Sequence, residues 1–122
     1  MSTRPQPAPE PEHKRKLTAD QQRAQWAWDA VKGGVTKEYV KLSKSVPTLI
    51  MGSGLLQTVA FLEQKKHKVL LAQLVGTEDA KAAIAKLVAL KPAEYRAETE
   101  AALAKLRWLR HFAAVAPEKK DS

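Results

Sequence analysis

The 122-residue chain contains no cysteine, which excludes disulfide bonds and metal sites built on thiolates. No stretch shows the sustained alternation of apolar and polar residues that predicts β-strands. The N-terminal region has no apolar segment typical of a secretion signal, and no apolar run approaches the length that a bilayer span needs. We therefore expect a cytoplasmic protein built from helices.

Positive charge is what the sequence has in excess. Twenty-one Lys and Arg residues against thirteen Asp and Glu give a formal net charge of +8, which favours polyanionic partners such as nucleic acid. Residues 32–68 hold seven basic side chains against two acidic ones, whereas residues 69–116 hold seven against five. The positive field is therefore expected around the second and third predicted helices.

Three segments differ in composition. Residues 1–17 carry prolines at every second position from 5 to 11 and little apolar surface, so we predict a disordered Pro-rich tail. Residues 18–116 are long enough for one domain with a real core, and we predict a helical domain there. Residues 117–122 are predicted to be a frayed C-terminal tail.

Helix signals predict an all-α bundle of about five to six helices. Thr18 and Gln21 form a capping box that begins the first helix, and a pair of glycines at 33–34 ends it. A second helix is predicted over about 36–45. Pro47 closes it and suits the first turn of a third helix, which runs to about Lys66 and is apolar on most of its circumference. Such a helix is expected at the centre of the bundle.

The second half of the chain is punctuated in the same way. Gly76 ends a short fourth helix over 69–75, Thr77 can cap a fifth helix that reaches Leu90, and Pro92 opens a long sixth helix to about Val115. Two of the glycines, in the triplet 52–54, fall inside the predicted third helix. Each costs about 1 kcal/mol relative to alanine there, so we expect a close helix contact or a local bend.

No catalytic constellation stands out. The Gly-Ser-Gly triplet has neither the Walker spacing of a phosphate loop nor the frame of a nucleophile elbow. Glu94 and Glu98 are four residues apart in the first turns of the sixth helix, where acids usually favour the helix dipole and solvent. His13, His67 and His111 show no ligand spacing. We predict a protein without catalytic residues, metal or organic cofactor.

Basic side chains are the candidate functional residues. A stripe at spacings of four and three lines one face of the second helix, opposite its apolar stripe. A second cluster lies where the third helix ends, and two arginines lie three apart on the last helix. The predicted RNA-binding residues are Lys37, Lys41, Lys44, Lys65, Lys66, Lys68, Arg107 and Arg110. The alternatives are an ordinary solvated face for the stripe and helix capping for the cluster.

Exposed aromatic rings can stack on bases or anchor protein contacts. Most rings here fall on apolar stripes and are predicted to pack in the core: Trp28, Tyr39, Phe61, Tyr95 and Phe112. Trp26 lies two residues from Trp28 and must point to a different face of the first helix. We predict that Trp26 is a subunit-contact anchor.

Three sequence stretches resemble a known family. The run from Val46 to Leu62 contains a proline, apolar residues, Gly-Leu, a glutamine and Ala-Phe-Leu, with Ser53 where an asparagine is more usual. It is preceded by a predicted helix at 23–31, which begins Arg-Ala-Gln-Trp-Ala where the family has Arg-x-x-Ala, and followed by Tyr95 and a Trp-Leu-Arg-His-Phe-Ala motif at 108–113. The order and spacing resemble the small subunit of type III-B CRISPR effector complexes, the Cmr module, over residues 21–115.

The resemblance implies a function. Members of this family are non-catalytic and stack in several copies along an RNA-guided antiviral complex, where they form a minor filament. They pack on the backbone subunits that hold the guide RNA and help to line the groove for target RNA. The implied partners are the other effector subunits, further copies of the chain, CRISPR RNA and target single-stranded RNA, with no membrane. A stand-alone helical interaction protein and a preference for single-stranded DNA remain alternatives.

Overall fold

The computed structural model describes residues 16–120, and that part of the chain is helical, as predicted. It contains five helices: α1 (Ala19–Val31), α2 (Lys37–Gln64), α3 (Lys68–Val75), α4 (Ala80–Ala89) and α5 (Pro92–Ala113). Helix α2 packs against α3, α4 and α5, and α1 packs along α5. The Pro-rich tail predicted over 1–17 lies outside the described residues, apart from its last two.

Helix α1 begins at the predicted capping box. The Thr18 hydroxyl accepts a hydrogen bond from the Gln21 backbone N–H at 3.0 Å, and the Gln21 side chain accepts one from the Thr18 N–H at 2.9 Å. The helix ends just before the glycine pair, where Gly34 has a φ of 118°. Both ends of α1 are thus where the sequence puts them.

Helix α2 continues through Pro47, so the predicted helix boundary at this proline is wrong. Proline has no N–H to donate to the carbonyl of Ser43, one turn earlier, and the helix loses that bond. Val46 and Ile50, on either side of the proline, are 1% and 2% exposed. Their burial on one face favours a continuous helix and outweighs the missing hydrogen bond.

The real interruption of α2 is at Gly54, whose φ of 85° and ψ of 163° are not helical. A straight helix would carry the chain about 39 Å between residues 38 and 64. Instead, Nε2 of His67 lies 3.7 Å from Oε1 of Glu38. Helix α2 therefore folds back on itself, with a first arm (residues 37–53) and a second arm (residues 55–64).

Tyr95 of α5 completes the bend. Its hydroxyl accepts a hydrogen bond from the backbone N–H of Leu56 at 3.0 Å, at the start of the second arm. The hydroxyl of Thr58 donates to the Gly54 carbonyl at 2.9 Å. The local bend expected for the glycine triplet is therefore confirmed, at Gly54. Gly52 is helical and exposed, and a Cβ there would meet nothing within 4 Å.

The core lies where the two arms of α2 meet α3 and α5. Its largest fully buried apolar side chains are Val31, Val46, Ile50, Leu55, Val59, Leu62, Leu70, Leu71, Leu106 and Leu109. Among the predicted core aromatics, Tyr39 is buried, whereas Phe61, Tyr95 and Phe112 are half-buried. Trp28 is 36% exposed and packs edge-on against Phe112, with ring centroids 5.6 Å apart. The prediction of a core position for Trp28 is wrong, because α1 covers only one side of α5.

By length and composition alone, α2 could cross a membrane, with a mean hydropathy of 1.4 over 18 residues. The expectation that no apolar run approaches this length is therefore wrong. However, α2 bends at Gly54 into arms of unequal length, and nine of its residues are buried against the rest of the protein. Its apolar character is explained by the core that its two arms form.

Two local predictions also differ from the structure. Helix α4 is capped by Asp79, which accepts from the Ala82 N–H at 3.2 Å, and the Thr77 hydroxyl accepts from the Asp79 N–H instead. After α5, the carbonyl of Pro117 accepts from the Val35 N–H at 3.0 Å, and the Lys119 N–H donates to the Val35 carbonyl at 2.8 Å. These bonds hold residues 117–119 in place, whereas the sequence predicts a frayed end.

Candidate nucleic-acid interface

The fold-back of α2 brings two predicted basic clusters to one end of the molecule. The stripe of Lys37, Lys41 and Lys44 occupies the start of the first arm, and the 65–68 cluster follows the second arm. The contact between Glu38 and His67 joins these two segments directly. In the sequence they are separated by about twenty residues, so only the bend at Gly54 makes them neighbours.

The arginine pair on α5 approaches the same end. Ala113 and Ala114 line a cavity of about 170 Å³ together with Lys37. Arg110 lies one helical turn before these alanines, and Arg107 one turn before that. We call the eight residues of the three clusters the basic end: Lys37, Lys41, Lys44, Lys65, Lys66, Lys68, Arg107 and Arg110.

Within residues 16–120, no acidic side chain neutralises the charges of the basic end. All eight side chains are exposed. Over residues 16–120 the structure has two ion pairs, Lys32 with Asp29 at 3.0 Å and His67 with Glu38 at 3.7 Å, and neither involves the eight. Exposed cations of the stripe and the 65–68 cluster therefore lie close together, and the C-terminal end of α5, which carries the arginine pair, lies towards the same end of the bundle. An ordinary solvated face and an anion-binding surface are both compatible with this arrangement.

The turn between α2 and α3 has an unusual residue. Lys66 has a φ of 63°, a left-handed conformation that costs a residue with a side chain about 1–2 kcal/mol. Its N–H donates to the Glu63 carbonyl at 3.1 Å, and the His67 N–H donates to the Leu62 carbonyl at 2.9 Å. This is the Schellman ending of a helix, in which glycine is usual at the left-handed position.

The same backbone hydrogen bonds test whether the lysine side chains of the 65–68 cluster are needed to cap the end of α2. The carbonyls of Leu62 and Glu63 already accept hydrogen bonds from the backbone, and the Phe61 carbonyl accepts one from the Lys65 N–H at 3.0 Å. Three of the last four carbonyls of α2 are therefore satisfied without lysine side chains. Direct capping of these carbonyls does not account for the 65–68 cluster, which stays available for an external anion.

A groove between α1 and α5 surrounds Trp26, which is 36% exposed. The groove is shallow and open to solvent, with a volume of about 330 Å³, and its lining residues are Ala19, Gln22, Arg23, Trp26, Ala101 and Lys105. Nζ of Lys105 lies 5.5 Å from the centroid of the Trp26 ring, a cation–π contact. We call this the Trp26 groove. As predicted, Trp26 and Trp28 face different parts of the surface.

Lys105 is held at the C-terminal end of α3. Its ammonium donates to the carbonyls of Gln73 and Leu74, at 3.3 and 3.5 Å. Burial lowers the pKa of Lys105, nearby Arg23 and Lys86 lower it further, and Glu98 opposes the shift. The lowered pKa follows from a cation surrounded by apolar surface and like charge. The groove therefore carries positive charge that a bound carboxylate would stabilise.

The other candidate residues have structural or surface positions. The Glu94 carboxylate accepts from the Lys91 N–H at 2.9 Å and so caps α5. Glu98 and Ser53 are exposed, and Nδ1 of His111 lies 2.8 Å from the Arg107 carbonyl. Within residues 16–120, no group of three or more His, Asp or Glu side chains is placed to hold a metal ion.

Sequence reasoning missed Lys105 and the role of the Tyr95 hydroxyl. Lys105 lies between the buried positions Ala102 and Leu106 on α5, so a lysine near the apolar stripe was the available signal. Tyr95 was assigned to the core as a ring. The hydrogen bond of its hydroxyl depends on the bend at Gly54. From the sequence, the glycine triplet indicates either a close helix contact or a local bend, and it does not decide between them.

The sequence pattern of one family, described as CRISPR-associated protein (Cas_Cmr5), matches residues 19–116. This range covers all five helices and most of the chain. The chain belongs to the Cas_Cmr5 family. The resemblance to the small subunit of type III-B Cmr complexes is thereby confirmed. Comparison with curated proteins and with solved structures returns no match.

The family assignment gives the sequence motifs a structural meaning. The Gly-Leu motif is the bend of α2, with Gly54 at the break and Leu55 buried directly after it. The tyrosine of the C-terminal motif supplies the hydroxyl at that bend. Trp108 is half-buried, stacks on Phe112 with centroids 5.5 Å apart, and its indole N–H lies 3.4 Å from Oδ1 of Asp20. These motif residues therefore maintain the fold.

Proposed function

We propose that this Cas_Cmr5 protein is the non-catalytic small subunit of a type III-B CRISPR effector ribonucleoprotein, acting in the cytoplasm in antiviral defence. Its basic end contacts the backbone of target RNA paired with CRISPR RNA. Family membership supports the place in a Cmr complex. The observation that supports the RNA contact is the proximity of two exposed basic clusters, the stripe and residues 65–68, whose lysines are in no ion pair with the acidic side chains of residues 16–120.

The chemistry of the basic end favours backbone contacts. Lysine and arginine side chains bind phosphate oxygens irrespective of base, and they fix the position of a strand without reading its sequence. Sequence selection is then left to pairing between guide and target. This division of labour is known from other RNA-guided effectors. It needs no cofactor and no catalytic residue on this chain.

The remaining surfaces serve assembly in this proposal. Copies of the subunit pack on one another and on the backbone subunits of the complex, as the family resemblance implies. Trp26 and Arg23 lie one turn apart in the Trp26 groove, and tryptophan and arginine are the residue types most often found at the energetic centre of protein interfaces. We assign one subunit contact to this groove.

The RNA contact is tested with the purified chain and labelled single-stranded RNA, by fluorescence anisotropy over a range of salt concentrations. We expect weak binding that is independent of sequence and falls steeply with salt. Changing Lys37, Lys41 and Lys44 together to Glu should weaken binding by at least about tenfold and reduce the salt slope by about 2, since each phosphate contact on a single strand contributes about 0.7.

A matched control carries the same change in net charge elsewhere. Lys81, Lys91 and Arg96 are exposed and lie outside the basic end, so their change to Glu should weaken binding far less. Equal losses in the two triple variants would mean that only net charge matters. If the first triple variant binds normally, the contact moves to the 65–68 cluster or to the arginine pair. Single-stranded DNA of the same sequence tests the choice between the two nucleic acids.

Place in the complex is tested by affinity purification from the source cells with this chain as bait. Recovery of the other effector subunits together with a repeat-containing guide RNA is the expected result. Recovery of neither favours a stand-alone helical interaction protein. RNA cleavage by the purified chain alone would contradict the non-catalytic assignment.

A further inference from the structure

Beyond α5, residues 117–119 form a short extended strap across the start of α2. The Pro117 carbonyl accepts a hydrogen bond from the Val35 N–H at 3.0 Å, and the Lys119 N–H donates to the Val35 carbonyl at 2.8 Å. The two bonds lie on either side of Glu118, which forms a parallel β-bridge with Val35. Backbone hydrogen bonds therefore fix the position of Lys119, close to the C-terminal end of the chain.

Gly34 leaves room for the strap. It has a φ of 118°, and a Cβ added there would lie 3.3 Å from Cβ of Lys119 and 3.3 Å from the Pro117 carbonyl oxygen. A Cβ added to Gly33 would meet nothing within 4 Å. The second glycine of the pair therefore allows the close approach of the strap, in a backbone conformation that favours glycine.

The strap lies next to the stripe of lysines on the first arm of α2. Lys41 and Lys37 are about 6 Å apart along the helix axis, at 1.5 Å per residue. Val35, to which the strap is bonded, precedes Lys37 by two residues, which is at most about 7.6 Å of chain. Lys119 is exposed, and among residues 16–120 it is in no ion pair with an acidic side chain. The strap thus adds a cation just beyond the N-terminal end of the stripe.

From these contacts we infer that the strap is part of the basic end and that the Lys119 ammonium contacts the phosphate backbone of the RNA that the stripe binds. The inference rests on the proposed function. Side chains alternate along an extended segment, so Glu118 and Lys119 point to opposite sides of the strap. Glu118 lines the cavity of about 170 Å³ together with Lys37. The phosphate contact is therefore on the other side of the strap, which faces Gly34.

The contact is tested by fluorescence anisotropy with the full-length chain and labelled single-stranded RNA. Lys119→Gln removes one phosphate contact, so it should weaken binding by up to about fivefold at 0.1 M salt and reduce the salt slope by about 0.7. The matched control is Lys81→Gln. Lys81 is exposed on α4, outside the basic end, and loss of the same charge there should change the salt slope little.

A second pair of variants moves the strap without changing any charge. Gly34→Ala places a Cβ against the strap and should weaken RNA binding about as much as Lys119→Gln, whereas Gly33→Ala should not. The double variant Gly34→Ala with Lys119→Gln should bind no more weakly than either single variant. NMR order parameters follow the strap in the absence of RNA. The Lys119 amide should be rigid in the unchanged chain, near 0.85, and should fall below about 0.6 in Gly34→Ala.

The outcomes separate this inference from the proposed function. Failure of the unchanged chain to bind RNA would overturn both. If the chain binds RNA and Lys119→Gln binds normally, or loses no more affinity than Lys81→Gln, the inference alone is overturned. It is also overturned if the losses from Gly34→Ala and Lys119→Gln add up in the double variant, or if the Lys119 amide is flexible in the unchanged chain.

Discussion

The backbone has a positive φ angle at two places around α2, inside the helix and in the turn just after it, and the residue types differ. At the bend the residue is Gly54, and at the turn into α3 it is Lys66. Every other positive φ angle over residues 16–120 belongs to a glycine, Gly34 or Gly76. Because only glycine adopts these conformations without strain, the lysine is the exception that needs another reason.

The surroundings of the two residues also differ, since Gly54 is packed against the fold and Lys66 is exposed. Gly54 lies against the Tyr95 hydroxyl, which would be 3.5 Å from an added Cβ, so the bend is fixed by packing and by hydrogen bonds. Lys66 is exposed, and the backbone bonds of its turn are those that a glycine would make equally well. The fold explains the glycine, whereas the proposed phosphate contact explains the lysine.

The largest effect is expected at the bend. Gly54→Ala places a Cβ on a residue with φ 85° and ψ 163°, a region open essentially to glycine alone, and should lower the free energy of unfolding by about 3 kcal/mol. Urea denaturation followed by circular dichroism measures the loss. Gly52→Ala is the matched control. It adds a methyl group in open space on an exposed helical turn and should raise stability by up to about 1 kcal/mol. Similar losses in both variants would contradict a bend at Gly54.

The second largest loss of stability is expected on removal of the Tyr95 hydroxyl at the bend. Tyr95→Phe leaves the partly buried N–H of Leu56 without its acceptor and should lower the free energy of unfolding by about 1–2 kcal/mol. Amide hydrogen exchange should speed up first at the start of the second arm.

The matched control is Tyr39→Phe. Burial raises the pKa of Tyr39 above its ordinary value, so its hydroxyl stays protonated, and it donates to Oε1 of Gln73 at 2.6 Å. The Gln73 side chain is free of the backbone and can turn towards water, so a smaller loss is expected than for Tyr95→Phe. A larger loss for Tyr39→Phe than for Tyr95→Phe would contradict this ranking of the two hydroxyls.

Replacement of Lys66 by glycine should stabilise the protein, whereas the replacements of Gly54 and Tyr95 at the bend destabilise it. Lys66→Gly relieves the left-handed strain and should raise stability by about 1 kcal/mol, while RNA binding weakens and the salt slope falls by about 0.7. Lys66→Arg keeps both charge and strain, so stability and binding should change little. The comparison of the two turns fails if Lys66→Gly gains stability without any loss of RNA affinity.

The smallest effect is expected at the proline that does not interrupt α2. Pro47→Ala restores an N–H that can donate to the Ser43 carbonyl, and stability should rise by less than about 1 kcal/mol. The helical circular dichroism signal of the folded protein should stay the same, because the helix already runs through this position. A large gain would mean that the proline strains the first arm after all.

Local rules predicted the ends of the helices well and their interruption poorly. The capping box of α1, the glycines after α1 and α3, and the proline that opens α5 each act within one turn, so the sequence shows them directly. Pro47 and Gly54 are both helix breakers by local rules. Which of them breaks α2 depended on burial around the proline and on a tyrosine some forty residues away.

The candidate site divides in the same way. Helical spacing identified the stripe on the first arm and the pair on α5, because charge periodicity is a local property. The approach of the stripe to the 65–68 cluster could not be predicted, since it requires α2 to fold back. Trp28 and Lys105 were misjudged or missed because each depends on how much of α5 is covered by α1 and α3.

The helical class of the protein, its basic charge and its lack of thiol chemistry follow from the amino-acid sequence, and its motifs identified the family. These properties are set by composition, by periodicity and by short-range capping bonds, which do not depend on distant residues. The tertiary structure alone decided where α2 bends, which basic clusters become neighbours and which tryptophans stay exposed. Those outcomes depend on contacts between residues far apart in the chain, and their energies arise only when the helices pack.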